Sequence, residues 1–311
     1  MLDTALYTSH IPVMLESCMK LMQPAPGGIY ADGTLGAGGH SEAILKASAP
    51  DGKLIAFDLD PAAIEIAQQR LAPFGDRVRI IQDSYTGIGR YTESNSLDGF
   101  IVDLGVSSMQ LDRSERGFSF LQDGPLDMRF SPQQPVSAAD IVNQWSPEDL
   151  AGILWQYGEE RKSRRIAAAI CAERAVRPIT TTGQLRDLIL RAVGPGRDKI
   201  HPATRSFQAI RIAVNEELKA VETVLPEALK ALKPGGRLLV ISFHSLEDRI
   251  VKEFFKRESK DCLCPPEQPV CTCGHHALLR ELTRHPVTAD EAEIQINPRA
   301  RSAKLRAAIK L

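Results

Sequence analysis

The chain has 311 residues, 43% of them hydrophobic and 25% charged, with a formal net charge of -1. This is the balance of a globular protein with room for one large domain or two modest ones, and it excludes a generally basic, nucleic-acid-coating surface. No run of about 18 apolar residues occurs, and Met1-Leu2-Asp3-Thr4 lacks the charged-then-apolar pattern of a secretion signal, so a soluble cytoplasmic protein without membrane contact is expected.

In chain order, short apolar stretches at Ile29 to Asp32, Leu54 to Asp58, Val78 to Gln82, Gly99 to Asp103 and Leu238 to Ser242 read as strands. Helical or turn segments separate the first three, which predicts an α/β fold with a parallel sheet. Residues 31 to 40, Ala-Asp-Gly-Thr-Leu-Gly-Ala-Gly-Gly-His, end the first strand in a glycine-rich turn that leads into a helix near Ser41. Glycines there let the backbone approach a ligand, and the helix start offers free N–H groups to the same spot. Asp58 closes the second strand, where a carboxylate can accept both hydroxyls of a ribose. An adenosine moiety follows as the expected ligand. The third glycine of the dinucleotide fingerprint is missing, which disfavours NAD. Asp60-Pro61 supplies an N-cap and a first-turn proline for a helix running toward Ala72.

After Asp103 the rhythm changes, and roughly a hundred residues precede the fifth strand, far beyond an ordinary crossover. An inserted, mostly helical subdomain over 108–205 is expected, with residues 1–107 and 206–311 forming the discontinuous core. Ser146-Pro147-Glu148-Asp149 opens one helix of the insert, with Leu150, Ile153, Leu154 and Tyr157 on one face; Thr181 to Gln184 caps another. A helix from Phe207 to Leu218 leads back toward the sheet. Leu232 to Arg237, with Pro234-Gly235-Gly236, reads as a helix end that breaks into the last strand, an arrangement that resembles the fifth-strand approach of S-adenosylmethionine-dependent methyltransferases and equally an ordinary helix stop.

Asp103, at the end of the fourth strand, stands where open α/β sheets bind ligands. It can contact a cofactor, accept hydrogen bonds from a substrate amine, or serve as a helix N-cap. Local cations (Arg161 to Arg165, Arg205 with Arg211, and Arg299, Arg301, Lys304 and Arg306) suit phosphates or a solvated helix face. Ser245-Leu246-Glu247-Asp248 reads as a capping box, with His244 before it a structural residue first and a catalyst only second. Cys262, Cys264, Cys271 and Cys273 have spacing that suits a structural zinc; a loop of unligated thiols is the competing reading.

Read together, His10 to Met14, Asp32 to His40, Asp103 to Ser108, Glu115 to Phe120, Gly124 to Arg129, Tyr157 to Arg161, His201 to Ala209, Ser242 to Arg249 and Asn297 to Ser302 closely resemble the bacterial small-subunit ribosomal RNA cytosine-N4 methyltransferase family. The likeness runs across nearly the full length. It implies a Rossmann-like class I core and methyl transfer from S-adenosylmethionine to the exocyclic N4 amine of a cytidine in the decoding region. It also implies small ribosomal subunit RNA as partner and the helical insert as its platform. Oligomeric state stays open, a homodimer included. Carried onto matching positions, the cofactor contacts are Gly38, Gly39, His40, Asp58, Tyr85, Asp103 and Gln110. Asp103 is also the candidate amine-orienting acceptor. The sequence departs from the common amino-methyltransferase tetrapeptide, having Asp103-Leu104-Gly105-Val106 in its place. A small-molecule methyltransferase and a non-enzymatic ribosome assembly factor are the rival readings.

Overall fold

In the computed structural model, which describes residues 12–195, 200–265, 267–268 and 270–311, the apolar stretches become β1 (Ile29–Asp32), β2 (Lys53–Asp58), β3 (Val78–Gln82), β4 (Leu97–Asp103) and β5 (Leu232–Ser242). His10 and Ile11 of the first motif lie outside the described residues. These five strands pair with one another in parallel, in the order β3-β2-β1-β4-β5. Two further strands, β6 (Leu279–Glu281) and β7 (Lys304–Lys310), were not expected from the sequence; β7 runs antiparallel to both β5 and β6. The sheet order is β3-β2-β1-β4-β5-β7-β6.

The inner strands are continuous apolar runs because both faces of a parallel sheet are covered. Alternation divides their side chains between two cores. Phe57, Phe100, Val102, Leu238 and Val240 pack on one face with Val221, Leu225 and Phe255. Ala56, Ile101, Leu239 and Ile241 face the other way, with Ile44, Leu45 and Leu71. The helices of this part of the chain are α1 (Leu15–Met22), α2 (Gly39–Ala47) and α3 (Pro61–Leu71), and Asp60 caps α3 by accepting from the Ala62 N–H, with Pro61 in the first turn.

The chain divides into two compact units, residues 1–105 with 218–311, and residues 106–217. The second holds α4 (Ser108–Asp112), α5 (Ala138–Gln144), α6 (Pro147–Gln156), α7 (Ser163–Arg174), α8 (Thr182–Val193) and α9 (Thr204–Asn215). Its buried face is built from Leu150, Ile153, Leu154, Ile166, Leu185 and Ile189. Phe207, Ala209, Ile210 and Val214 of α9 belong to the same core, so that helix is part of this unit and not of the return to the sheet. The return is made by α10 (Glu217–Ala231), and α11 (Ser245–Glu258) and α12 (Glu291–Ile296) follow β5.

The Pro-Gly-Gly segment also sits differently from the sequence reading. α10 ends at Ala231, and Leu232 already pairs with Leu97; the register then shifts, and pairing resumes at Gly99 with Arg237. Lys233 to Gly236 are therefore an irregularity within β5. Among the described residues no helix is long and apolar enough to cross a membrane.

Local caps are accurate where their signals are local. The Ser146 hydroxyl donates to Asp149 Oδ2 at 2.8 Å and accepts from the Asp149 N–H at 3.0 Å, starting α6. Ser146→Ala should cost about 1 kcal/mol, read as a lower urea midpoint with unchanged slope.

Candidate functional site

Three strands end on a carboxylate: β1 on Asp32, β2 on Asp58 and β4 on Asp103. They are adjacent in the sheet, and the chain leaves β1 toward β2 and β3 on one side while β4 and β5 lie on the other. This reversal opens a crevice at the carboxyl ends of β1 and β4, where open α/β sheets bind ligands.

The turn after β1 is held by main-chain bonds. The Gly33 N–H donates to the Ile101 carbonyl at 2.8 Å, and the Leu35 N–H to the Phe57 carbonyl at 2.8 Å. Gly38 has φ +81° and caps α2; a Cβ on Gly39 would lie 2.2 Å from Pro12 Cγ. Both positions thus exclude side chains, one by backbone conformation and the other by space. Asp32, which the sequence reading did not single out, is buried and braces the turn: it accepts from the Thr34 N–H at 3.0 Å and from the Ser41 hydroxyl at 2.7 Å. Burial raises its carboxyl pKa, and the Ser41 bond opposes the rise.

Asp58 Oδ2 accepts from the Gly36 N–H at 2.8 Å, and Oδ1 from the Asp60 N–H at 2.9 Å. The residue said to hold a ribose is therefore anchored to the glycine turn itself, with each oxygen keeping a further lone pair. Burial lifts its pKa to about 6 despite these two bonds. Tyr85 opens the short helical turn Tyr85–Arg90 just after β3. Its Cβ would stand 3.1 Å from a Cβ placed on Gly33, and its ring packs partly into the core. It is both a core residue and a wall beside the glycine turn.

The Asp103 N–H donates to Thr34 Oγ1 at 2.7 Å, fixing the turn after β4 to the turn after β1. Asp103 Oδ2 lies 3.6 Å from His40 Nε2, an ion-pair separation longer than a formed hydrogen bond. Among the described residues, Asp103 Oδ1 and both His40 ring nitrogens are buried without hydrogen-bond partners. Burial works against a charged His40 imidazole, but the Asp103 carboxylate, reinforced by Asp32 and Glu293, outweighs it and raises the pKa above its usual value. Buried polar atoms lacking partners are uncommon in folded proteins, and here they converge beside a turn bare of side chains. The donor set fits an adenosyl ligand with an amino-acid tail: a bend that admits close approach, an acceptor at the end of β2, and an uncommitted acceptor at the end of β4.

Gln110 is not in this unit. It belongs to residues 106–217, where its side chain closes a capping box on α4: Oε1 accepts from the Ser107 N–H at 3.1 Å, and the Gln110 N–H donates to Ser107 Oγ at 3.3 Å. The cap of α11 falls one residue earlier than Ser245. His244 is the N-cap, and Glu247 Oε2 reaches back to the Phe243 N–H at 2.9 Å and the His244 N–H at 3.4 Å. His244 Nε2 stands 3.2 Å from Glu247 Oε1.

The cation clusters also resolve. Arg211 pairs with both carboxylate oxygens of Glu217, at 2.8 and 2.9 Å. Lys304 and buried Arg306 both reach Asp248. These three are committed to structure, whereas Arg161, Arg164, Arg165, Arg205 and Arg301 are exposed. Trp155, absent from the sequence reading, is 59% exposed on α6. The four clustered cysteines do come together, their Sγ atoms all within 4.8 Å of one another.

Comparison with known proteins agrees in extent with these features. The model of the MraW methylase family matches residues 7–311. A Geobacter sulfurreducens protein described as ribosomal RNA small subunit methyltransferase H is 54% identical over 97% of this chain and 99% of its own. One of the same description from Thermomicrobium roseum is 52% identical over 99% of this chain and 95% of its own. Among solved structures, an rRNA methylase from Streptococcus thermophilus is 12% identical, with a TM-score of 0.43 over 96% of this chain and 93% of that one. From the family match and the two full-length relatives, the chain belongs to the MraW methylase family.

Proposed function

We propose that this protein transfers a methyl group from S-adenosylmethionine to the exocyclic N4 amine of a cytidine in the decoding region of small-subunit ribosomal RNA. The observation that carries the reading is the buried Oδ1 of Asp103, without a partner among the described residues, beside the side-chain-free turn at Gly38 and Gly39, in a chain whose relatives are described as small-subunit rRNA methyltransferases.

The donor supplies a methyl already activated on a sulfonium centre. A cytosine amine is a poor nucleophile because its lone pair is delocalised into the ring, so the protein's contribution is chiefly alignment. The glycine turn makes room for the amino-acid end, Asp58 accepts the ribose hydroxyls, and Tyr85 flanks the adenine. Asp103 orients the acceptor amine and takes up the proton that must leave as nitrogen is methylated.

A paired or stacked cytosine hides its amine, so the base has to be extruded. The helical unit suits that task. Arg161, Arg164, Arg165 and Arg205 offer phosphate contacts, and Trp155 offers a stacking face on which an unpaired base can rest. A small-molecule methyltransferase has no use for these features.

Mass mapping of methylated nucleotides in small-subunit RNA from cells with and without the protein tests the reading. One decoding-region cytidine should lose its base methyl when the protein is absent and regain it on complementation. Unchanged methylation of every cytidine in that region would sink the substrate assignment.

A further inference from the structure

The connection from α11 to β6, residues 259–278, contains no helix or strand among its described residues. Loops this long in compact domains are uncommon unless something organises them. Apolar packing does not: Cys262, Cys271 and Cys273 are exposed and Cys264 is half-buried, whereas Cys18 shows the usual fate of an unpaired cysteine and is fully buried.

The four sulfurs nevertheless cluster. Cys262 Sγ lies 3.4 Å from Cys271 Sγ and 3.8 Å from Cys273 Sγ, while Cys271 Sγ lies 4.0 Å from Cys264 Sγ and 3.5 Å from Cys273 Sγ. Four thiolates at about 2.3 Å from a tetrahedral zinc would stand about 3.8 Å apart, in the middle of this range. A disulfide needs about 2.05 Å.

Main-chain donors also point at these sulfurs. The Leu263 N–H donates to Cys273 Sγ at 3.3 Å, the Cys264 N–H to Cys262 Sγ at 3.4 Å, and the Thr272 N–H to Cys264 Sγ at 3.4 Å. Such donors offset the charge that accumulates when several thiolates share one cation, and they fix the ligands' orientation. Among the described residues, the ligand atoms that gather here are the four sulfurs alone, without a ring nitrogen of His275.

We propose that Cys262, Cys264, Cys271 and Cys273 bind one structural zinc ion that closes the loop between α11 and β6. All four positions are filled by protein, so the site has no open coordination place for substrate and acts by ordering the loop. The all-thiolate tetrahedron suits zinc over magnesium, calcium or manganese, which prefer oxygen.

The test uses the full chain, purified without a metal-binding tag and desalted. Elemental analysis should find about one zinc per chain in the wild type. The double variant Cys262→Ser, Cys271→Ser should hold at least tenfold less. In the wild type, iodoacetamide should label these four cysteines slowly until a chelator is added and rapidly afterwards, while the affinity for S-adenosylmethionine stays the same. The alkylation arm needs no variant, so it decides the matter even if the double variant aggregates. Zinc no higher in the wild type than in the variant, iron in its place, or labelling that ignores the chelator would overturn the proposal.

Discussion

Asp103→Ala should lower the single-turnover rate of methyl transfer to small subunits by about 10²- to 10⁴-fold, the span expected for losing a positioned proton acceptor. Affinity for S-adenosylmethionine, measured by calorimetry, should change less than about tenfold, because the glycine turn and Asp58 remain. The split follows from the geometry. One oxygen of Asp103 faces His40, and the other is buried without a partner among the described residues. Asp103→Asn keeps the shape but cannot take up a proton, so it should bind the donor well and transfer methyl poorly. A fall in donor affinity as large as the fall in rate would make Asp103 a donor contact and end its assignment to the amine.

The same substitution has a pH signature. The raised pKa of His40 arises from Asp103 against the opposing effect of burial. A histidine whose pKa is higher folded than unfolded stabilises the fold fully below its unfolded pKa, about 6.5, and that contribution fades as pH rises through the folded value. Removing Asp103 should therefore lower the melting temperature more near pH 6 than near pH 9. An equal loss at both ends would mean that the two side chains do not interact as an ion pair.

The second large effect concerns Asp58. Asp58→Ala should weaken S-adenosylmethionine binding by about 10²-fold, the loss of charge-assisted hydrogen bonds to two hydroxyls. In the wild type burial pushes the pKa of this carboxyl up to about 6, and in the proposed complex the ribose hydroxyls donate to its ionised form. Affinity should be level above that pH and fall by about tenfold for each unit below it. Asp58→Asn, which has no such titration, should bind weakly with no break near pH 6. The linkage to folding has the opposite sense. A carboxyl that holds its proton more tightly when folded weighs against the ligand-free fold as pH rises through about 6, and donor binding offsets that cost. A break that survives in Asp58→Asn would assign the titration to another group.

The parts of this structure that were legible in the sequence are those whose causes are local. β1 and β3 fall at their expected residues, and Asp60, Ser146 and Thr181 cap the helices they precede. Each depends on a few adjacent side chains. What could not be read depends on distant partners. Asp103 meets Thr34 across 69 residues of sequence. β7 is a modest apolar segment whose insertion between β5 and β6 follows from tertiary pairing. The apolar stripe of α9 is equally consistent with packing on the sheet or on its helical neighbours, and the observed core places it with the helices. Burial, and not its position in a motif, gives Asp32 its bracing role, so the sequence alone does not mark it.

Thr34 carries a consequence of its own. By accepting from the Asp103 main chain, its hydroxyl latches together two loops that belong to opposite halves of the sheet. In the proposed reaction one loop would cradle the methyl source and the other present the acid that aligns the recipient, so the spacing between giver and taker would be set before either arrives. No hinge is needed to establish that distance.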